Sequence, residues 1–291
     1  MKKNANLSRS IKELAVRLTI KFFDHFNIKI IRKKIRVDET TASNSYIGEQ
    51  GLILKYLDKI AGLNKYCVDI GASDGVTMSN TFPLFKNGWP GLAVECDSRK
   101  FIHLSVDYQY FSGVKLIRNK VTPKNVLDIL GAGDVPLNFG FLSLDIDGYD
   151  YFILEKILTK FRPAMICAEI NENIPAPIKF TVKYDPNFSW ATDHFFGQSI
   201  SQLALLAEKT GYDLIELYYN NAFLVDRKLN FTKPLTAERA YRQGYLDQPD
   251  RKEKFSLNKD VEAALNLSPD QAVQYYNDYF KKYQGKFTIS L

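Results

Sequence analysis

The fold is decided by the stretch Tyr66-Cys67-Val68-Asp69-Ile70-Gly71-Ala72-Ser73-Asp74-Gly75, a short apolar run that ends in an acid and a turn containing glycine. Comparable apolar runs follow, separated by segments with helical periodicity; they are GLAVECD (91–97), VKLIRN (114–119), FGFLSLDID (139–147) and PAMICAEI (163–170). Apolar strands that alternate with helices are typical of a parallel sheet covered on both faces. The sequence therefore predicts an α/β fold with five parallel strands.

The sheet is predicted to end in a hairpin. Two further strand-like runs, YDLIELYY (212–219) and AFLVDRKL (222–229), are joined by Asn220-Asn221. Because asparagine tolerates the positive φ of a tight turn, we expect these two strands to be antiparallel.

The chain of 291 residues, 45% hydrophobic and 25% charged, is long enough for one large α/β domain with appendages. We predict a basic helical segment over 1–44, the main domain over 45–228 and a helical C-terminal appendage over 229–291. No run reaches the about 18 uncharged apolar residues that cross a bilayer, and the first residues do not resemble a secretion signal. The expected location is therefore cytoplasmic.

Positive charge is concentrated in residues 1–37, where eleven Lys and Arg against Glu13 and Asp24 give a net charge of +9, while the rest of the chain is at −3. Apolar residues recur there at helical spacing; they are Ile11, Leu14, Ala15, Leu18, Phe22, Phe23 and Phe26. One interpretation is a helix that packs on the body or on a second copy of this chain as a homo-oligomer. The other is peripheral contact with the inner membrane or with an acidic partner. Nucleic acid is not an expected partner, because the body carries no net positive charge.

The cysteines indicate no metal or disulfide framework. Cys67, Cys96 and Cys167 each lie in a short apolar run, without a CxxC pair or a histidine at ligand spacing. We expect reduced thiols in the core.

The first candidate ligand site is the turn after the first strand. A dinucleotide site has the pattern G-x-G-x-x-G, but here Ser73 holds the second glycine position and Val76 the last. An adenosyl ligand without phosphates needs no such close approach, and the nearby carboxylates of Asp69 and Asp74 would not repel it. The pattern thus favours that second class of ligand, with Gly71 and Gly75 letting the backbone come close to it.

Glu95 is the second candidate. It ends the next strand, about 20 residues after the glycine turn, where a carboxylate can accept both hydrogen bonds of a ribose diol. The alternative is that it caps the following helix.

A third candidate region follows the fourth and fifth strands. The fourth strand is followed by the clustered acids Asp145, Asp147 and Asp150. The fifth strand is followed by Glu169 and Asn171. Clustered carboxylates repel one another unless they meet a cation or backbone donors. We expect Asp150 to serve the start of the next helix, whereas Asp145, Glu169 and Asn171 could bind a divalent cation such as Mg²⁺ or orient substrate hydroxyls.

The segment 172–197 is long for a connection in such a sheet and is predicted to be a substrate lid. His194 is the candidate general base, because an imidazole titrates near neutral pH; an ordinary hydrogen-bonded histidine is the alternative. Lys179 and Lys183 could meet a phosphate or could simply be solvated.

Four runs, taken together, resemble bacterial S-adenosylmethionine-dependent methyltransferases of the FkbM-like group, many of them associated with glycan or natural-product pathways; the runs are YIGEQGLILKYL, VDIGASDGVTMSNTFPLFKNGWPGLAVECD, NKVTPKNV and LSLDIDGYDYFIL. The resemblance covers Tyr46 to Arg227. It implies a Rossmann-like class I methyltransferase fold, a mostly parallel seven-stranded sheet ending in the antiparallel hairpin. It also implies a cofactor turn, with Asn80 at the crevice, Glu95 on the ribose and Asp145 near the methionine part or the reacting centre; the turn comprises Asp69, Gly71, Ala72, Ser73, Asp74 and Gly75.

The expected reaction is methyl transfer from S-adenosylmethionine to a hydroxyl of a sugar, nucleotide-sugar or phosphorylated small molecule, in capsule or other surface-glycan or natural-product biosynthesis. The catalytic candidates are His194, Asp147 and Asp145, with a divalent cation as an alternative means of activating the hydroxyl. Two other classes stay open: an NAD-dependent oxidoreductase and a non-catalytic scaffold that docks through the basic N-terminal segment.

Overall fold

A computed structural model describes residues 48–291, so the predicted helix within 1–44 and its partners lie outside the described residues. Seven strands form one sheet in the order β3-β2-β1-β4-β5-β8-β7, and β6 pairs with β9 in a second, two-stranded sheet. The strands are β1 Cys67–Ile70, β2 Gly91–Glu95, β3 Val114–Arg118, β4 Phe141–Leu144, β5 Met165–Glu169, β6 Lys179–Val182, β7 Tyr212–Tyr218, β8 Asn221–Asp226 and β9 Phe287–Ser290.

Strands β1 to β5 are parallel, and β8 runs antiparallel to both β5 and β7. This arrangement confirms the predicted Rossmann-like, mostly parallel seven-stranded sheet with its terminal antiparallel hairpin. The strand order reverses at β1, which has β2 on one side and β4 on the other. A crevice for ligands is expected at this point, outside the carboxyl ends of the strands.

Helices cover both faces of the sheet, as the apolar runs predicted. They are α1 Gln50–Leu57, α2 Phe82–Lys86, α3 Ser98–Asp107, α4 Val126–Ala132, α5 Asp150–Ile157, α6 Ile200–Thr210, α7 Ala237–Tyr241, α8 Arg251–Lys254 and α9 Pro269–Tyr279. Alternate strand residues point to opposite faces. Val68 and Ile70 belong to the core under α4, α5 and α6, whereas Cys67 belongs to the core under α1, α2 and α3.

The hairpin turn lies one residue earlier than predicted. Tyr218 pairs with Asn221, so the turn is Tyr219-Asn220 rather than Asn220-Asn221. Tyr219, and not an asparagine, adopts the positive φ of 56°. Its hydroxyl donates to Asp250 and its ring stacks on Phe255, so contacts distant in sequence hold the unusual backbone conformation.

Residues 48–291 lie within one compact unit, which extends across the predicted boundary at 228. Strand β9 of the C-terminal region pairs with β6, which belongs to the predicted lid. The predicted capped helix is present as α9, with Ser268 and Gln271 forming a reciprocal capping box. Apolar side chains of the C-terminal region, such as Tyr276 and Phe280, belong to the same core as Val68 of β1.

Two smaller findings concern the other sequence expectations. Cys67 and Cys167 are buried free thiols, but Cys96 is exposed because β2 ends at Glu95, one residue before it. Within residues 48–291 no helix is long and apolar enough to cross a membrane.

Candidate functional site

The carboxyl ends of the strands carry the acids that the sequence pointed to. Asp69 lies in β1, Glu95 ends β2, Asp145 follows β4 and Glu169 ends β5. The register places β1 between β2 and β4, with β5 beyond β4. The acids therefore line one edge of the sheet around the reversal point.

The glycine turn after β1 is held by neighbouring strands. The backbone N–H groups of Gly71 and Ala72 both donate to the carbonyl of Val94 in β2, at 3.0 Å. At Gly71, φ is +92° and a Cβ atom would lie 1.7 Å from the backbone oxygen of Asp145. Gly75 has φ +79°, and its Cβ would meet Leu104 and Tyr108. Packing inside the protein therefore requires both glycines, and the close approach of a ligand to their backbone stays a prediction.

Glu95 joins the turn to the end of β2. One carboxylate oxygen accepts a hydrogen bond from the backbone N–H of Ser73 at 2.8 Å, and the other accepts from the N–H of Asp97 at 2.6 Å. Each carboxylate oxygen has a second lone pair, so Glu95 keeps acceptor capacity for two further donors. The predicted helix cap is a different residue: Asp97 accepts from the N–H groups of Arg99 and Lys100.

Asp69 is buried beneath the turn. Its carboxylate accepts a hydrogen bond from the hydroxyl of Thr81. Burial raises the pKa of Asp69 to about 6, the Thr81 hydrogen bond lowers it, and the charge of Glu95 raises it. A negative charge at this position is therefore unfavourable unless a positive group comes near it.

Asp74 and Asn80 have different surroundings. One oxygen of Asp74 accepts from the N–H groups of Val76 and Thr77, an interaction that shapes the loop. Asn80 donates its amide to the sulfur of Cys167 at 3.6 Å, and its Oδ1 is buried without a hydrogen-bond partner. Asn80 therefore retains a free acceptor, whereas the bonded oxygen of Asp74 is used within the loop.

The turn after β1 does not lead directly into a helix. Ten residues separate Gly71 from α2, which begins at Phe82 and has only five residues. A dinucleotide site of the Rossmann type places its pyrophosphate on the N-terminus of a helix that starts at the glycine turn. That binding element is missing from this loop, which agrees with the serine at position 73.

Three carboxylates meet beyond β4 and β5. Oxygen atoms of Asp145, Asp147 and Glu169 all lie within 4.8 Å of one another. Asp147 reaches this position with φ +52°, a conformation that aspartate tolerates better than most residues. Asp145 is open to the crevice, while Asp147 and Glu169 are partly buried. We refer to these three residues as the carboxylate cluster.

The carboxylate cluster is held against its own repulsion. Desolvation by the surrounding protein, followed by the charges of Asp147 and Asp150, raises the pKa of Asp145. Desolvation and then the charge of Asp145 likewise raise the pKa of Glu169. The cluster thus retains protons more readily than isolated carboxylates do.

Asp150 and Asn171 do not belong to this cluster. Asp150 is the first residue of α5, and its carboxylate accepts from the N–H groups of Ile146 and Gly148, as expected for a structural acid. The Asn171 amide donates to the carbonyls of His194 and Phe196, and its Oδ1 accepts from Asn173. Because these contacts occupy the whole side chain, the prediction of Asn171 as a metal ligand is wrong.

The predicted lid covers the end of β4 but is fixed in place. Gly197 donates its N–H to the carbonyl of Gly148, and Lys120 donates its ammonium to the carbonyls of Pro186 and Phe188. The ring of Phe195 stacks on that of Tyr283 at 3.8 Å between centroids. The segment is therefore tied to the sheet on one side and to the C-terminal region on the other.

His194 is engaged elsewhere. Its Nε2 lies 2.9 Å from the carboxylate of Asp260, in the C-terminal region, and its ring lies near that of Tyr279. The alternative of a hydrogen-bonded histidine is thus present in the structure, and the role of His194 as the general base stays a prediction. Lys179 donates to the carbonyl of Leu291, and Lys183 is exposed, so neither supports a phosphate site in the crevice.

Three amides around the crevice lack a sequence signal for a role in the site. Asn220 donates to the carboxylate of Glu169 at 2.9 Å, and Gln198 donates to the backbone carbonyl of the same residue at 2.8 Å. Asn221 donates to the buried carboxylate of Glu49 at 2.7 Å. Only the position of Asn220-Asn221 beside a strand end could have suggested such a role.

No protein-family model matches this chain, and neither does any curated protein. Solved structures with a similar fold include a SAM dependent methyltransferase from Aquifex aeolicus, with 9% identity over 61% of this chain and 89% of that chain and a TM-score of 0.37. Another is TrmK from M. capricolum with S-adenosyl-homocysteine, with 12% identity over 80% and 96% and a TM-score of 0.41. A third is the glycopeptide N-methyltransferase MtfA with S-adenosyl-L-methionine, with 10% identity over 64% and 87% and a TM-score of 0.37. Similarity at this level carries no argument about the ligand or substrate of this chain, and membership of the FkbM-like group stays a prediction.

Proposed function

We propose that this protein is an S-adenosylmethionine-dependent methyltransferase that methylates a hydroxyl of a sugar, nucleotide-sugar or phosphorylated small molecule. The observation that supports the proposal is the hydrogen bond from the N–H of Ser73 to Glu95, which holds a carboxylate directly against the glycine turn, where it could accept the hydroxyls of a ribose. The loop lacks the helix N-terminus that a pyrophosphate requires, and Asp69 and Glu95 would repel one. An adenosyl ligand with a positive sulfonium fits this edge better than a dinucleotide does.

Each group at this edge of the sheet would have its own role in binding or catalysis. Glu95 would accept the ribose hydroxyls with its remaining lone pairs, and Asp69 would stabilise positive charge near the turn. When bound, S-adenosylmethionine supplies a methyl group that its sulfonium already activates. The chain then has to align the acceptor oxygen and accept its proton. A carboxylate of the cluster would act as the general base. The glycan or natural-product pathway rests on the motif resemblance alone.

Binding of S-adenosylhomocysteine, measured by calorimetry, tests the proposal. The wild-type chain should bind it and should not bind NAD. Glu95→Gln should weaken binding by about tenfold or more, since it removes a charged acceptor from the ribose. Glu155→Gln, the same substitution at an exposed ion pair with Lys209, should change nothing. Binding of NAD instead would favour the oxidoreductase, and binding of neither ligand would favour the scaffold.

The acceptor class needs a second measurement. Incubation with S-adenosylmethionine and a panel of sugars and sugar nucleotides, followed by mass spectrometry, should show addition of one methyl group to an oxygen. Transfer to nitrogen or to a protein would contradict the hydroxyl acceptor while leaving the cofactor assignment intact.

A further inference from the structure

The carboxylate cluster lacks a compensating cation from the protein. Within residues 48–291, none of Asp145, Asp147 and Glu169 forms an ion pair with a lysine or arginine. Lys100 acts on Asp147 through its charge, but at no ion-pairing distance. Carboxylates held this close at the rim of a crevice are unfavourable unless something positive binds between them.

The amides beside the cluster provide a second, independent observation. Asn220 is only 8% exposed, and its Nδ2 contacts the Glu169 carboxylate, yet its Oδ1 is buried with no hydrogen-bond partner. Gln198 is fully buried, its Nε2 contacts the Glu169 backbone, and its Oε1 also lacks a partner. Buried polar atoms are rarely left unpaired, so a donor is expected from outside the protein.

Both unpaired atoms are acceptors, and this narrows the choice of ligand. An anion cannot donate hydrogen bonds to amide oxygens and would be repelled by the carboxylates. A hydrated cation satisfies both groups, because the metal contacts the carboxylates and its water molecules donate to the amides.

We propose that Asp145, Asp147 and Glu169 bind one divalent cation of the Mg²⁺ or Mn²⁺ type, with Asn220 and Gln198 accepting hydrogen bonds from its water molecules. Hard cations of this kind prefer oxygen ligands and retain several waters. The openness of Asp145 to the crevice leaves coordination positions for a ligand. The site has Asp147 where the sequence suggested Asn171.

The consequence for catalysis rests on the proposed function. A cation at this position would orient an acceptor hydroxyl and make its proton easier to remove. The proton would leave to a carboxylate of the cluster or to water as the new carbon–oxygen bond forms and the carbon–sulfur bond breaks, with the electron pair of that bond remaining on sulfur.

Titration of Mn²⁺ alone into the full chain, freed of metal with EDTA and without cofactor, tests the site by calorimetry and by the electron paramagnetic resonance signal of free Mn²⁺. We expect one bound ion per chain. Asp147→Asn should weaken binding by about tenfold or more. Asp134→Asn removes the same charge at an exposed residue that pairs with Lys115, and it should leave binding unchanged.

Asparagine tolerates the positive φ of Asp147, so the variant should fold, which circular dichroism checks. Glu169→Gln provides a second variant should the first be unfolded. Absence of bound Mn²⁺, or equal affinity in Asp147→Asn and Asp134→Asn, would overturn the proposal, the latter by showing an adventitious ion only. S-adenosylhomocysteine binding in the same preparation separates the hypotheses: cofactor without metal refutes only the cation site, and metal without cofactor refutes only the methyltransferase.

Discussion

The crevice edge of the sheet and the C-terminal region treat their carboxylates in opposite ways. At the crevice, desolvation and neighbouring carboxylates raise the pKa values of Asp69, Asp145 and Glu169. In the C-terminal region, Glu262 has a lowered pKa, above all because of its hydrogen bonds from Arg251. The same region also pairs with Asp193 of the predicted lid, where hydrogen bonds from Tyr283 and Lys282 overcome partial burial and lower the pKa.

The direction of the pKa shift distinguishes acids that stabilise the fold from acids whose charge has no compensating partner in the described part of the chain. In the C-terminal region, an acid with a lowered pKa has a partner from the chain itself. Glu262, for example, accepts two parallel hydrogen bonds from Arg251, at 2.8 and 2.6 Å. At the crevice, the unfavourable charges and unpaired amide oxygens cost stability in the free protein. Such a cost is expected where binding energy is recovered from a ligand.

The largest effect on stability is expected at Gly71, which packs against the backbone of Asp145. Gly71→Ala combines an unfavourable φ of +92° with a backbone clash at Asp145, so we expect a loss of about 4 kcal/mol in the free energy of unfolding. Gly88→Ala has a similar φ of +80° but no atom within 4 Å, and it should lose only about 1 kcal/mol. Urea denaturation of both variants measures the difference. Equal losses would show that the turn can move away from Asp145.

The fold was largely predictable because its signals are local. Short continuous apolar runs around Val68, Leu142 and Ile166, each followed by polar or turn residues, are typical of strands buried on both faces. The capped helix at Ser268 was predictable for the same reason, since its capping box lies within four residues. These features depend on residues close together in the chain.

The rest could not be predicted because it depends on distant partners. The pairing of His194 with Asp260 could not be predicted, because the two residues lie 66 positions apart in the chain. Tyr219 adopts a conformation that its residue type disfavours, because Asp250 and Phe255 hold its side chain. The acids at the strand ends were predictable as a group. That Asp147 rather than Asn171 lies in the carboxylate cluster depends on loop geometry, which the spacing of residues in the sequence does not show.

The next largest effect follows from the pKa of Asp69. The folded chain holds this proton up to about pH 6, whereas the unfolded chain releases it near pH 4. The contribution of Asp69 to the stability of the wild type is therefore expected to fall as pH rises from 4 to 6, by about 3 kcal/mol in total, and to stay reduced above that range. Asp69→Asn lacks this titration, so its stability relative to wild type should increase by that amount across the same range.

Guanidinium denaturation of both proteins at pH 4, 5, 6 and 7 measures this difference, because other carboxylates titrate alike in the two chains. Asparagine keeps an oxygen that can accept the Thr81 hydrogen bond, so the substitution should preserve the local structure. A difference that stays constant with pH would mean that Asp69 is ionised at no cost, and the contrast with the C-terminal acids would fail at this residue.

The smallest of these effects tests the paired side of the comparison. Arg251→Met removes the main partner of Glu262, leaving Lys252 at 3.3 Å, and the guanidinium that lies 5.3 Å from the centre of the Tyr245 ring, while its apolar chain still fills the space. We expect a loss of about 2 kcal/mol in the free energy of unfolding, below the range for a fully buried pair because Glu262 is 29% exposed. Lys115→Met breaks the exposed pair with Asp134 and should produce no measurable change. If Arg251→Met were equally silent, pairing in the C-terminal region would contribute little, and the low pKa of Glu262 would reflect local charge rather than a contact that stabilises the fold.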